Sequence, residues 1–174
     1  MGDISKRVSQ AYELFNKEGC SEDAQVLWKS WELFMHTNAL NPMMYPSLRR
    51  MENEIVSMTS WMLNGDAEVA GSLTTGGTES ILMAVKTYRE WAKAARGYLP
   101  NPNMVVSQTI HPAFEKAAHY FNIEIIHVKT TSDFRVDVDA VRAAINRDTI
   151  LIVGSAPQYC HGTKHALYSR VYVF

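Results

Sequence analysis

The stretch Gly71 to Ser80, reading GSLTTGGTES, sets two adjacent glycines and several hydroxyl side chains immediately before an amphipathic run. Gly76 and Gly77 let a backbone turn tightly and come close to a ligand. The first N–H groups of the helix that follows, at Thr78 to Ser80, lack intrahelical partners and point outward at its positive end. In outline this is a phosphate site. The same residues also read as ordinary capping, with Thr78 supplying the N-cap oxygen and Glu79 complementing the dipole. A second chemically capable residue is His111, which stands between an apolar run at Met104 to Val106 and a Pro112 suited to open a helix. If that run is a strand, His111 lies where ligands collect in open α/β sheets, although a lone histidine at a helix start is also a plain capping residue. Gly154-Ser155-Ala156-Pro157 follows another apolar run and reads as a small-residue turn at a strand end.

The elements that must position these residues follow from periodicity. Ile4, Val8, Tyr12 and Phe15 recur at helical spacing over 4–17, and Ser21 can cap the next helix. Trp28, Trp31, Phe34 and Met35 form an aromatic-rich run that this spacing assigns to a core or an interface. The segment 37–46, with two prolines and two asparagines, is a loop. Pro46 then opens a helix carrying Leu48, Met51, Ile55, Met58 and Met62, which stops at Asn64-Gly65. A further helix carries Ile81, Val85, Tyr88 and Ala92 and ends at Gly97. After it come strands at 104–106, 123–128 and 149–153, separated by a helix opened by Pro112 and one capped by Asp137. Strands alternating with helices of this length predict an α/β fold, a parallel sheet with helices on both faces.

Composition narrows the partners. With 174 residues, 47% hydrophobic and 20% charged, the chain suits a globular domain with a core of its own. A net charge of −1 gives no basic footprint, so nucleic acid is not an expected partner. Cys20 and Cys160 form no CxxC pair and read as reduced thiols of a cytosolic-type environment. His161 and His165 stand four apart without a matching carboxylate or thiol, so no metal is expected. The opening MGDISK fits a loose myristoylation pattern, while no apolar run is long enough for a spanning helix or a secretory signal.

Thr74 to Leu82, TTGGTESIL, resembles the phosphate loop of the group II pyridoxal-phosphate-dependent decarboxylases, and within them the sphingosine-1-phosphate lyase branch, which usually reads TSGGTES. Upstream, Thr37, Asn38, Pro42, Pro46, Ser47, Arg49, Met51 and Glu54 match a family stretch in order. Downstream, HPAFEKAA from His111 resembles the segment whose histidine stacks on the cofactor ring, and GSAPQYCHG the next cofactor-proximal loop. The resemblance implies a fold-type I large domain and pyridoxal 5′-phosphate as cofactor, with Gly76, Gly77 and Thr78 at its phosphate. It further implies His111 over its ring as the catalytic residue and Ser155 beside it. The implied activity is carbon–carbon lysis in sphingolipid catabolism, a phosphorylated sphingoid base giving a fatty aldehyde and phosphoethanolamine. A homodimer is the implied assembly.

The resemblance also implies an aspartate and a cofactor-binding lysine further along. None of the eight lysines stands in a Ser-x-x-His-Lys context, and the pattern departs from the family at about Thr163. The expected organisation is an N-terminal helical segment with an interface loop at 1–65, a partial cofactor-binding domain at 66–162 and a divergent tail at 163–174. On this reading the chain is a truncated form, incomplete at the C-terminus and inactive alone. Its full-length relative is expected to face the cytosol, in association with the endoplasmic reticulum membrane. Two other readings stay open: an amino-acid decarboxylase of the same superfamily, and a non-catalytic fragment that pairs with an intact subunit.

Overall fold

A computed structural model describes residues 21–163 apart from Pro42, together with Ser9 and Glu13. The expected helix at 4–17 and the tail after Thr163 otherwise lie outside the described residues. The chain forms two compact units, Met1–Leu73 and Thr74–Phe174.

The first unit holds helices α1 (Ser21–Phe34) and α2 (Pro46–Met62). Pro46 opens α2 because its missing N–H is one the first turn could not pair anyway. The helix stops where Asn64 adopts a left-handed backbone, φ 58°. Residues 66–73 remain with this unit, for Leu73 N–H donates to Glu52 Oε1 at 3.1 Å. The aromatic run of α1 is not core: Trp28 is 48% and Trp31 56% exposed, and Ala24 is the buried apolar residue of the helix. No residue of α2 is buried. Helical spacing had identified an apolar face correctly but could not say what would cover it.

The second unit is the α/β part. In chain order it comprises α3 (Gly77–Arg96), β1 (Asn103–Ser107), α4 (Pro112–Phe121), β2 (Glu124–Val128), α5 (Val138–Ala144) and β3 (Thr149–Val153). The strands are parallel in the order β2-β1-β3. All five residues of β1 are buried, as a central parallel strand requires. Met104 and Val106 join Val85 and Ala92 of α3, Ala117 and Ala118 of α4, and Ile150 of β3 in one cluster. Val105, alternating with them, is buried on the opposite side. From β1 the chain moves one way to β2, then back past β1 to β3. Right-handed crossovers in opposite directions place α4 and α5 on opposite faces. α4 packs with α3, whereas α5 packs on β1 and β2.

At the amino end of the sheet, buried Asn103 donates to Asn146 Oδ1 at 3.0 Å and accepts from Thr149 Oγ1 at 2.8 Å. Arg96, in the last turn of α3, donates to the carbonyls of Arg147 and Thr149, both at 3.1 Å. The C-terminus of α3 is thereby pinned to the start of β3, and the helix runs antiparallel to the strands. Its 20 residues span about 30 Å against about 16 Å for a five-residue strand, so its N-terminus reaches the carboxyl end of the sheet.

Met104 has no exposed surface, whereas Met83 on α3 is 47% exposed. Met104→Ala is expected to lower the unfolding free energy by about 2–5 kcal/mol, and Met83→Ala to change it by roughly 0.5 kcal/mol or less. Urea unfolding followed by circular dichroism checks the contrast. Equal effects would mean that β1 is not the centre of the core.

Candidate functional site

Three segments meet the carboxyl end of this sheet: the start of α3, the loop from β1 into α4, and the loop after β3. The strand order reverses between β1 and β3, and their diverging crossovers leave a crevice at that switch point. His111 follows β1 and Ser155 follows β3.

The start of α3 is built differently from those of α4 and α5. Asp137 caps α5 by accepting from Asp139 and Ala140 N–H, and His111 caps α4. The N-cap of α3 is Gly76, with no side-chain cap at all. Thr78 is therefore not the cap but a first-turn residue, which corrects the capping alternative. Gly76 is extended, with φ 163° and ψ 172°, a conformation open to any residue, so a tight turn does not explain it. Open space does. A Cβ added to Gly76 or Gly77 would meet nothing within 4 Å, whereas at Gly65 it would fall 2.3 Å from Ser60 Oγ. The helix's first backbone bond runs from Ser80 N–H to Gly76 C=O at 3.1 Å, so the amides of Gly77, Thr78 and Glu79 precede the ladder.

Glu79 holds the loop that leads in. Its Oε2 accepts from Thr75 N–H at 2.7 Å and from Thr75 Oγ1 at 2.6 Å. This is the carboxylate half of a capping box, displaced by one residue and lacking its hydroxyl half. The Thr75 hydroxyl, then the Thr75 amide, hold the Glu79 carboxyl below the usual carboxylate range. Either threonine or the family's serine at position 75 supplies that hydroxyl. Thr74 Oγ1 and Ser80 Oγ, 2.6 Å apart, tie the same loop to the first turn.

His111 is exposed, and its Nδ1 accepts from Ala113 N–H at 3.1 Å. In the neutral ring the proton consequently sits on Nε2, which is left as a donor. The preceding turn is fixed by the Ser107 and Thr109 hydroxyls, 3.0 Å apart, and by Ile110 N–H bonding Ser107 C=O at 3.0 Å. Ser155 is half-buried one residue beyond Gly154. Gln158 joins its loop to that of His111, donating from Nε2 to Thr109 C=O at 3.3 Å. No hydrogen bond among the described residues links Gly76 to Thr78 directly with His111 or Ser155. Fold topology brings the three segments to one end, and the Gln158 bond ties two of them together. A cleft of about 260 Å³, lined by Arg89, Pro102, Phe121 and Asn122 among others, involves none of these site residues. Among the described residues no group of histidine, cysteine and carboxylate side chains could hold a metal.

An uncapped helix start with open space at two glycines, flanked by a hydroxyl and a flat imidazole, fits a phosphate-bearing planar cofactor. The pyridoxal-dependent decarboxylase conserved domain matches residues 26–156. The chain belongs to this family. The match runs through both units, from within α1 to Ala156 in the loop after β3. The chain is 46% identical to sphingosine-1-phosphate lyase of Dictyostelium discoideum over 145 residues, 83% of this chain and 27% of that protein. The solved sphingosine-1-phosphate lyase of Burkholderia pseudomallei superposes with a TM-score of 0.76 at 41% identity, covering 84% of this chain and 35% of that one. Lactobacillus brevis glutamate decarboxylase superposes with a TM-score of 0.64 at 29% identity, over 75% of this chain and 32% of that one. The chain thus spans about a quarter to a third of the length of these relatives. Its α/β architecture is that of the family's large domain.

Sequence reading missed Glu79's tie to Thr75, although a glutamate three residues after Gly76 has capping-box spacing. It also missed Gln158, for which a glutamine in a loop gives no signal. Because its folded-state pKa is depressed, Glu79's tie contributes fully above the unfolded carboxylate pKa and is lost as pH falls through the folded one. Thr75→Val removes the hydroxyl and keeps the amide. The carboxyl titration of Glu79, followed by NMR, is expected to move up toward the ordinary glutamate value in this variant. An unchanged midpoint would show that the hydroxyl bond does not form.

Proposed function

We propose that residues 74–163 form the phosphate- and ring-contacting wall of a pyridoxal 5′-phosphate site in a carbon–carbon lyase acting on phosphorylated sphingoid bases. The observation that carries this reading is the uncapped start of α3, delivered to the switch point where His111 and Ser155 follow adjacent strands. Similarity to sphingosine-1-phosphate lyases supports the substrate class. When bound, the cofactor supplies an electron sink for the pair released as a bond to the substrate's amine-bearing carbon breaks.

The chain's own residues bind and orient. Amides of Gly77, Thr78 and Glu79 donate to phosphate oxygens, and the absent side chains at Gly76 and Gly77 leave the approach clear. Ser155 adds a hydroxyl. His111, its Nδ1 held by Ala113, covers a ring face and keeps Nε2–H for a hydrogen bond or a proton transfer. The products would be a fatty aldehyde and phosphoethanolamine. We further propose a homodimer, consistent with the exposed apolar side chains of α1. The site would face the cytosol. No described helix is long and apolar enough to cross a membrane. The similarity to glutamate decarboxylase keeps an amino-acid substrate as the second reading.

Titration should show pyridoxal 5′-phosphate binding at least tenfold more tightly than pyridoxal. Gly77→Pro keeps a first-turn geometry but deletes one donor and fills the space the glycine leaves, and is expected to weaken only the phosphate-bearing ligand, by on the order of tenfold. Equal affinities for the two ligands would remove the phosphate site. Turnover is expected only in a form that also supplies the reactive lysine. There, fatty aldehyde from a phosphorylated sphingoid base supports the lyase, and carbon dioxide from glutamate or an aromatic amino acid would install the second reading.

A further inference from the structure

Gln158 is one of few buried polar side chains among the described residues, 5% exposed, and the reading above gives it no role. Its neighbours fix which way its amide points. Thr109 C=O can only accept, so the atom 3.3 Å away is the Gln158 nitrogen. His161 backbone N–H can only donate, so the atom 2.8 Å from it is the oxygen. The two assignments agree, and a flipped amide would oppose acceptor to acceptor on one side and donor to donor on the other. The same oxygen lies 2.9 Å from His161 Nδ1. An amide oxygen cannot donate, so His161 must carry its proton on Nδ1, and its Nε2 keeps the lone pair. The ring is held further by stacking on Phe134, centroids 4.3 Å apart and planes 8° apart. Among the described residues nothing bonds its Nε2.

We infer that Gln158 is a positioning residue that ties the loop after β3 to the loop after β1 and fixes His161 as the Nδ1–H tautomer. The crevice end of the sheet is thereby given two imidazoles whose neutral tautomers are of opposite character. His111 presents a donor at Nε2, and His161 presents an acceptor at Nε2. A ligand hydroxyl or ammonium group has a proton acceptor in His161, which His111 in its own tautomer cannot provide. The ligand role rests on the proposed cofactor site, whereas the tautomer and the tether do not.

The test uses two substitutions on the whole chain. Gln158→Glu keeps an acceptor for His161 and loses the donor to Thr109; Gln158→Met, close in shape, loses both. Nitrogen-15 correlation spectra of the imidazoles are expected to show Nδ1–H for His161 in the wild type and in Gln158→Glu, and a mixture of tautomers in Gln158→Met. A dominant Nε2–H form in the wild type would overturn the inference, with or without a cofactor. Both variants are expected to weaken pyridoxal 5′-phosphate binding by on the order of tenfold, because both release the loop after β3. Wild-type affinity in both variants would refute the positioning role. If the wild type itself fails to bind, the proposed function falls, and the spectra alone decide the tautomer claim. Circular dichroism shows whether Gln158→Met folds; should it not, Gln158→Glu carries the binding comparison.

Discussion

The organisation of the α/β unit depends on one constraint, the right-handedness of crossovers out of a central buried strand. β1 has neighbours on both sides and no exposed residue, so both crossovers must clear it. Going to β2 and then returning past β1 to β3 puts the intervening helices on opposite faces. At the carboxyl ends of β1 and β3 the chain therefore leaves in diverging directions, and the crevice is a by-product of chain handedness. The Arg96 clamp on the carbonyls of Arg147, just before β3, and Thr149, its first residue, then fixes the polarity of α3. With its C-terminus held at the amino end, its positive end has only one place to go.

How far this could be read from sequence differs by element. The three strands and the helices α2 to α5 were legible because each apolar run ends at a residue with a local physical effect. Pro46 and Pro112 open helices, Asp137 caps one, and Asn64 and Gly97 leave them with positive φ. Those signals act within a few residues and need no tertiary context. The fate of α1 does need it. Trp28, Trp31 and Phe34 have the spacing of a buried stripe, yet burial depends on a covering surface that no local pattern encodes.

The site divides in the same way. Gly76, Gly77 and His111 were visible as residue types at element boundaries, but their reasons were not. Gly76 was expected to serve a turn and instead adopts an extended conformation, so its use is the absence of a side chain. His111 was visible as a capable imidazole. That its Nδ1 is committed to Ala113, leaving only Nε2 for chemistry, depends on backbone geometry. Gln158 was invisible because its importance lies in contacts with residues up to 49 positions away.

The start of α3 poses an electrostatic question that its hydrogen bonds resolve. A carboxylate at Glu79 complements the helix dipole and repels a second anion at the same amides. One of its two oxygens, Oε2, is engaged by both donors of Thr75, which lies before the helix begins. Those bonds favour the ionised group and tie it to the loop that leads into the helix. Water and salt screen what repulsion remains at this half-exposed side chain. A serine or aspartate at position 76 would have satisfied the same helix with its own side chain and occupied the space. Glycine at 76 and glutamate at 79 together stabilise the entry to the helix, while the amides of Gly77, Thr78 and Glu79 stay outside its backbone ladder.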